Sequence, residues 1–117
     1  MARKFITRLG IGMAALALAL SVSLPAAMAE ETVTVHISMK NHRFAPAELH
    51  APAGKAIVIV VKNLDSTPAE FESQMLRVEK VVTGGGTITL RIRPLEPGRY
   101  RFFDDFHQET EGYLVVK

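Results

Sequence analysis

Between Val33 and Val116 the apolar residues of this chain recur at every second position in short runs, each closed by a turn signal. Nowhere do they sustain the 3.6-residue period of a helix. Thr32 to Met39 sets the pattern, with Val33, Val35, Ile37 and Met39 on one face and Thr32, Thr34, His36 and Ser38 on the other. Thr87 to Arg93 repeats it, with Ile88, Leu90 and Ile92 inward. Ala56 to Val61 is a continuous apolar run, consistent with a strand covered on both sides. Glu48 to His50 and Glu70 to Glu72 are short extended pieces, and Leu76 to Val82 reads as a further strand. Breaks fall at Pro52 to Gly54, Asn63 to Pro68, Gly84 to Gly86 and Pro94 to Gly98. Seven or eight short strands in such an array predict an all-β sandwich or barrel.

The N-terminus reads differently. Arg3, Lys4 and Arg8 precede an apolar stretch from Leu9 to Leu24, and Ala27-Met28-Ala29 has the small residues of a cleavage site. Residues 1–29 are therefore expected to be a signal peptide, and residues 30–117 a single exported domain of 88 residues. Without the three basic residues of that segment, 11 Lys and Arg stand against 12 Asp and Glu, a net charge of −1. No basic stripe remains to favour nucleic acid. The chain has no cysteine, which removes disulfides and thiolate chemistry, nucleophilic or metal-binding.

The segment from Gly98 to Val116 carries the chemistry. It reads as a strand, a tight loop with Asp104, Asp105 and His107, and a closing strand. Tyr100, Phe102 and Asp104 share one parity, so a carboxylate follows two aromatics toward the core. A buried charge needs a partner, hydrogen bonds or a metal ion. Asp104 has two readings of equal weight, a metal ligand or a cap on loop amides. His107, three residues on, extends the ligand reading. Met39 lies on the inward face of its strand and reads first as core, with a thioether ligand beside His42 as the alternative. Met75 is a further thioether in that copper-binding alternative. Glu70 and Glu72 flank Phe71, so an inward Phe71 turns both away unless a bulge reorients Glu70. Asp105, Glu109 and Glu111 read as solvated loop charges.

Several motifs in order carry a resemblance. They are Phe44-Ala45-Pro46-Ala47-Glu48-Leu49, Pro52-Ala53-Gly54-Lys55, Asn63-Leu64-Asp65-Ser66-Thr67-Pro68, Leu95 to Phe102, and Gly112-Tyr113-Leu114-Val115-Val116. Together they resemble a cupredoxin, which implies an antiparallel Greek-key β-sandwich. In that resemblance the blue-copper ligand positions fall on Ala69, Asp104, His107 and Thr110, so only the histidine at 107 is retained. Without a thiolate the blue-copper site cannot form, and an electron carrier of that kind is not expected. Pro68 to Ser73, Leu76 to Lys80 and Phe102 to His107 resemble the cupredoxin-like domains of bacterial iron-uptake systems, of the EfeO type or associated with iron permeases. That branch implies a periplasmic protein that binds or oxidises Fe(II), with or without copper, for a membrane iron permease and companion periplasmic proteins. It also implies Glu70 as a ligand. The expected metal residues are thus Glu70, Asp104 and His107, with Met39, His42 and Glu72 as secondary members. The expected ion is iron, copper or both, and a homodimer is one way to complete the ligand set. A non-redox docking module and a copper carrier are the alternatives. Carboxylate with imidazole suits Fe(II), Mn(II), Zn(II) or Cu(II) alike.

Overall fold

The computed structural model describes residues 15, 17, 19 and 31–117. The expected signal peptide, apart from three isolated alanines, lies outside the described residues. The described chain forms nine strands: β1 (Val33–Lys40), β2 (Arg43–Ala45), β3 (Glu48–Ala51), β4 (Ile57–Asn63), β5 (Ala69–Ser73), β6 (Val78–Val82), β7 (Thr87–Ile92), β8 (Gly98–Asp104) and β9 (His107–Val116). They build a four-stranded sheet in the order β2-β1-β4-β7 and a five-stranded sheet in the order β3-β9-β8-β5-β6.

The all-β sandwich is as expected, but the sheets are mixed rather than wholly antiparallel. β1 pairs with β4, and β3 with β9, in parallel. After the β1–β2 hairpin the chain crosses to the other sheet as β3. It then returns as β4 running alongside β1, and such a crossover is what parallel neighbours require.

Inward parity fills the space between the sheets. Ile37, Met39, Ile57, Ile59, Val61, Leu90 and Ile92 come from one sheet, and Leu49, Phe71, Phe102, Leu114 and Val116 from the other. Phe71 and Phe102 are wholly buried and stack at 4.9 Å, while Phe44 meets both edge-on at 5.9 and 4.9 Å. Burying each such ring contributes about 1.5–3 kcal/mol, and the ring pairs roughly 0.5–1.5 kcal/mol more.

Two local expectations change. β4 is covered on one side only: Ile57, Ile59 and Val61 are buried, whereas Val58 and Val60 are half-buried on the outer face. Their register neighbours there are Thr34, His36, Thr89 and Arg91, whose side chains partly shelter them. The expected strand from Leu76 begins at Val78, because residues 74–77 make the turn out of β5. Leu76 still reaches the core, its amide held by Ser73 Oγ at 3.2 Å.

Candidate metal centre

Three connections meet at one end of the sandwich: the β1–β2 turn, the β4–β5 loop and the β8–β9 turn. Asn41 and His42 are the two residues left between the Lys40–Arg43 pair, and both have positive φ, 53° and 57°. That is a primed two-residue hairpin turn, which matches the twist of its strands. Asparagine and histidine are among the residues that tolerate the left-handed region best.

Asp65, from the β4–β5 loop, accepts the Asn41 amide at Oδ1 (2.7 Å) and the His42 amide at Oδ2 (3.0 Å). The His42 amide, then that of Asn41, holds the Asp65 carboxyl below the usual range. The Thr110 hydroxyl donates to the His42 carbonyl at 2.6 Å.

Asp104 ends β8 on the parity of Phe102 and is fully buried. Its Oδ1 accepts the Glu70 and Phe106 amides, both at 3.0 Å. Its Oδ2 lies 3.1 Å from His107 Nδ1. The two readings of Asp104 thus fall on different oxygens: one caps loop amides, the other faces the imidazole. The β8–β9 pairing brings His107 there. Phe103 pairs with Glu111 but Asp104 with His107, so the register slips and residues 108–110 of β9 form a bulge. The irregularity lies in this pairing, and β5 keeps a regular register that leaves Glu70 turned away from Phe71.

The His42 and His107 rings lie 4.0 Å apart between centroids, tilted by 37°. His42 is exposed, and the His107 side chain is 34% exposed. One donor atom each from His42, Asp104 and His107 falls within 4.8 Å of the others. Ligands bound at 2.0–2.2 Å to one ion stand roughly 2.8–3.5 Å apart. The Asp104–His107 separation of 3.1 Å already meets that spacing. His42 offers a donor atom within 4.8 Å of both from an exposed ring on its braced turn. Two imidazoles and a carboxylate with an open side therefore fit a first-row divalent ion.

The other expected ligands lie elsewhere. With β5 unbulged, Glu70 contributes its backbone amide to Asp104 while its side chain leaves the opposite face. There it gathers with Glu72 and Glu79, again with donor atoms within 4.8 Å. Glu70 Oε1 is shut off from solvent and has no donor. Sharing a proton with Glu79 is its main recourse. That, with desolvation and the charges of Glu79, Asp105 and Glu72, pushes the Glu70 carboxyl up to about 7. Desolvation, then Asp105 and Glu79, also raises Glu72.

Met39 is a core side chain, 1% exposed. Met75 sits half exposed in the β5–β6 turn, at the far end of β5 from Glu70. The thioethers therefore do not gather around His42. Asp65, Thr110 and Glu79 were not among the expected site residues. Glu79 alone had a usable signal, since a β5–β6 hairpin sets it opposite Glu72.

A family model described as a cupredoxin-like domain matches residues 12–116. The chain belongs to this cupredoxin-like family. The uncharacterised protein RP394 of Rickettsia prowazekii (strain Madrid E) is 37% identical over 93 residues, covering 79% of this chain and 74% of that protein. Among solved structures, the cupredoxin-like domain is similar to the metal-binding domain of the Cu(I)-exporting P-type ATPase CopA of Streptococcus pneumoniae D39. The TM-score is 0.66 at 16% identity, covering 75% of this chain and 97% of that one. Auracyanin A, a blue copper protein of Chloroflexus aurantiacus, gives a TM-score of 0.62 at 16% identity over 74% of this chain and 99% of its own. A purple cupredoxin of Nitrosopumilus maritimus gives 0.55 at 19% identity over 73% and 99%. These likenesses establish the sandwich. The thiolate of blue copper does not fit this chain, which has no cysteine to supply it.

Proposed function

We propose that this cupredoxin-like domain binds a first-row divalent metal ion through His42, Asp104 and His107 and passes it on. We propose further that the cargo is ferrous iron, held in the periplasm for a membrane iron permease. The observation that carries the metal reading is the convergence of two imidazoles and a buried carboxylate from two separate turns. Two of the three ligands reach solvent, which suits an exchangeable ion; a structural site is closed by four ligands. Two histidines and one carboxylate with open positions is a set that accommodates Fe(II). The signal-like N-terminus and the iron-uptake resemblance of Pro68 to Ser73 and Phe102 to His107 support the compartment and the partner.

Copper is the second reading, favoured by the copper proteins that share the fold. Any nitrogen and oxygen site binds Cu(II) more tightly than Fe(II), so availability, not affinity alone, selects the cargo. Anaerobic Fe(II) titration and Cu(II) titration of the parent and of the His42→Ala/His107→Ala variant test the site. Equal affinities in the two proteins would overturn it. Oxygen uptake on Fe(II) addition separates binding from oxidation. Iron recovered with the protein purified from its native compartment supports the iron reading, and copper in its place replaces it.

A further inference from the structure

We infer that Asp65 is the positioning residue of the metal centre, aiming the His42 imidazole at His107 without touching the ion. The inference rests on the preceding reading of His42, Asp104 and His107 as metal ligands.

His42 sits in a turn whose two central residues both have positive φ, which even asparagine and histidine adopt at some cost. Asn41 and His42 are consecutive non-glycine residues with positive φ, a conformation that L-residues adopt at a cost. Support from outside the turn offsets that cost and fixes its geometry. Both oxygens of Asp65 are used for this, one on each amide of the turn, at 2.7 and 3.0 Å. Successive amides converging on one anion form a small cradle, and the negative charge complements them.

Asp65 is itself anchored on both sides of its backbone. Its amide donates to Asn63 Oδ1 at 3.0 Å, and its carbonyl accepts the Gly85 amide at 2.9 Å. Asn63, 1% exposed, is fixed in turn by donation to the Thr67 carbonyl at 2.8 Å. The next residue, Leu64, donates its amide to the Met39 carbonyl at 2.8 Å, tying the loop to the end of β1. The β4–β5 loop is thus a rigid bracket between β1 and the β6–β7 turn, and the Asp65 carboxylate is its contact with His42.

The exposed His42 ring has its position set by the backbone beneath it. The Thr110 hydroxyl grips the carbonyl side of that residue. The amide side depends on Asp65. An amide side chain at position 65 retains one acceptor oxygen and points an NH2 group at the second turn amide. The turn then loses one of its two holds, and the imidazole loses its fixed direction.

The test uses the full chain and Cu(II) as the probe, in a cycle of Asp65→Asn, His42→Ala and the double variant. Electron paramagnetic resonance counts the bound imidazole nitrogens, and titration gives the affinity. Asp65→Asn is expected to lower Cu(II) affinity by about 10- to 100-fold, the usual effect of removing an outer-shell support. Its spectrum should shift from two imidazole nitrogens toward one. In the His42→Ala background the same change should add nothing, because Asp65 acts only through His42.

An Asp65→Asn protein with parental affinity and two nitrogens overturns the inference. So does an equal loss in both backgrounds, which marks general damage. If His42→Ala itself leaves binding unchanged, it is the underlying metal-centre reading that fails. Should Asp65→Asn not fold, Asp65→Ser, which keeps one acceptor toward the turn, takes its place in the same cycle.

Discussion

Asp104 has two duties on two oxygens, and a pair of substitutions separates them. Asp104→Ala removes both. The Glu70 and Phe106 amides, each 3.0 Å from Oδ1, lose their acceptor. An unsatisfied buried donor costs about 1–3 kcal/mol, so the two together cost roughly 2–4 kcal/mol, short of twice the upper value because both bonds are only part-buried. For a domain of this size that lowers the melting temperature by about 10–30 °C.

Asp104→Asn keeps an oxygen where Oδ1 stands and retains both amide bonds, so the melting point should fall by only a few degrees. Its NH2 group, however, now faces His107 Nδ1, where the carboxylate Oδ2 lay at 3.1 Å. An NH2 donor there needs an acceptor, which moves the imidazole proton to Nε2. The anionic ligand is gone and the lone pair of His107 is engaged. Metal affinity should drop by about 10- to 100-fold or more. Thermal melts followed by circular dichroism, with Cu(II) and Zn(II) titrations of the same preparations, read both effects. If the asparagine variant melts as low as the alanine variant, Oδ1 is not what holds the loop. If it binds metal like the parent, Oδ2 has no part in the site.

Other perturbations probe the fold and the acidic face. Glu70 titrates near 7 when folded and near 4.5 when unfolded, so the folded state holds the extra proton between these values. Its ionisation therefore removes stability as the pH rises through that window. Glu70→Gln should raise the melting temperature at pH 8 and flatten its fall between pH 5 and 8; an unchanged slope counts against the shared proton. A methyl group added by Gly112→Ala would collide with Phe102 Cε2 and meet the Ala47 carbonyl at 2.9 Å. Phe102 is clamped by its stack on Phe71, so overpacking should cost about 1–3 kcal/mol in denaturant unfolding, and no loss would mean the ring moves freely. Ser73 Oγ donates to the Arg101 carbonyl at 2.6 Å and accepts the Leu76 amide at 3.2 Å. Ser73→Ala should cost about 1–3 kcal/mol by the same assay, and a neutral result would show that water replaces the hydroxyl.

Much of the sandwich is legible in the alternation of β1 and β7, because one buried face imposes a period of two. The same parity places Asp104 inward behind Phe102 and turns Glu70 outward beside Phe71. What parity cannot supply is how the ends of strands meet. His42 is adjacent to His107 because two turns on different sheets come together, a relation set by strand order and by the bulge in β9. Met39 and Met75 look similar on paper, yet one is sealed in the core and the other stands at the opposite end of β5. Asp65 reads as an ordinary turn aspartate, since its partners are backbone amides, which leave no trace in residue type. Glu79 becomes meaningful only once β6 is paired to β5 with Glu72 opposite it.

His107 opens β9, the last strand, whereas His42 closes the turn after the first. A chain whose C-terminal strand has not yet docked keeps these imidazoles at the distance of a loose coil. On the proposed reading, cation capture by His42, Asp104 and His107 therefore requires β9 to be in place. If the proposed centre holds, loss of the β9 docking would abolish ion binding, and a bound ion would in turn raise the melting temperature of the folded protein.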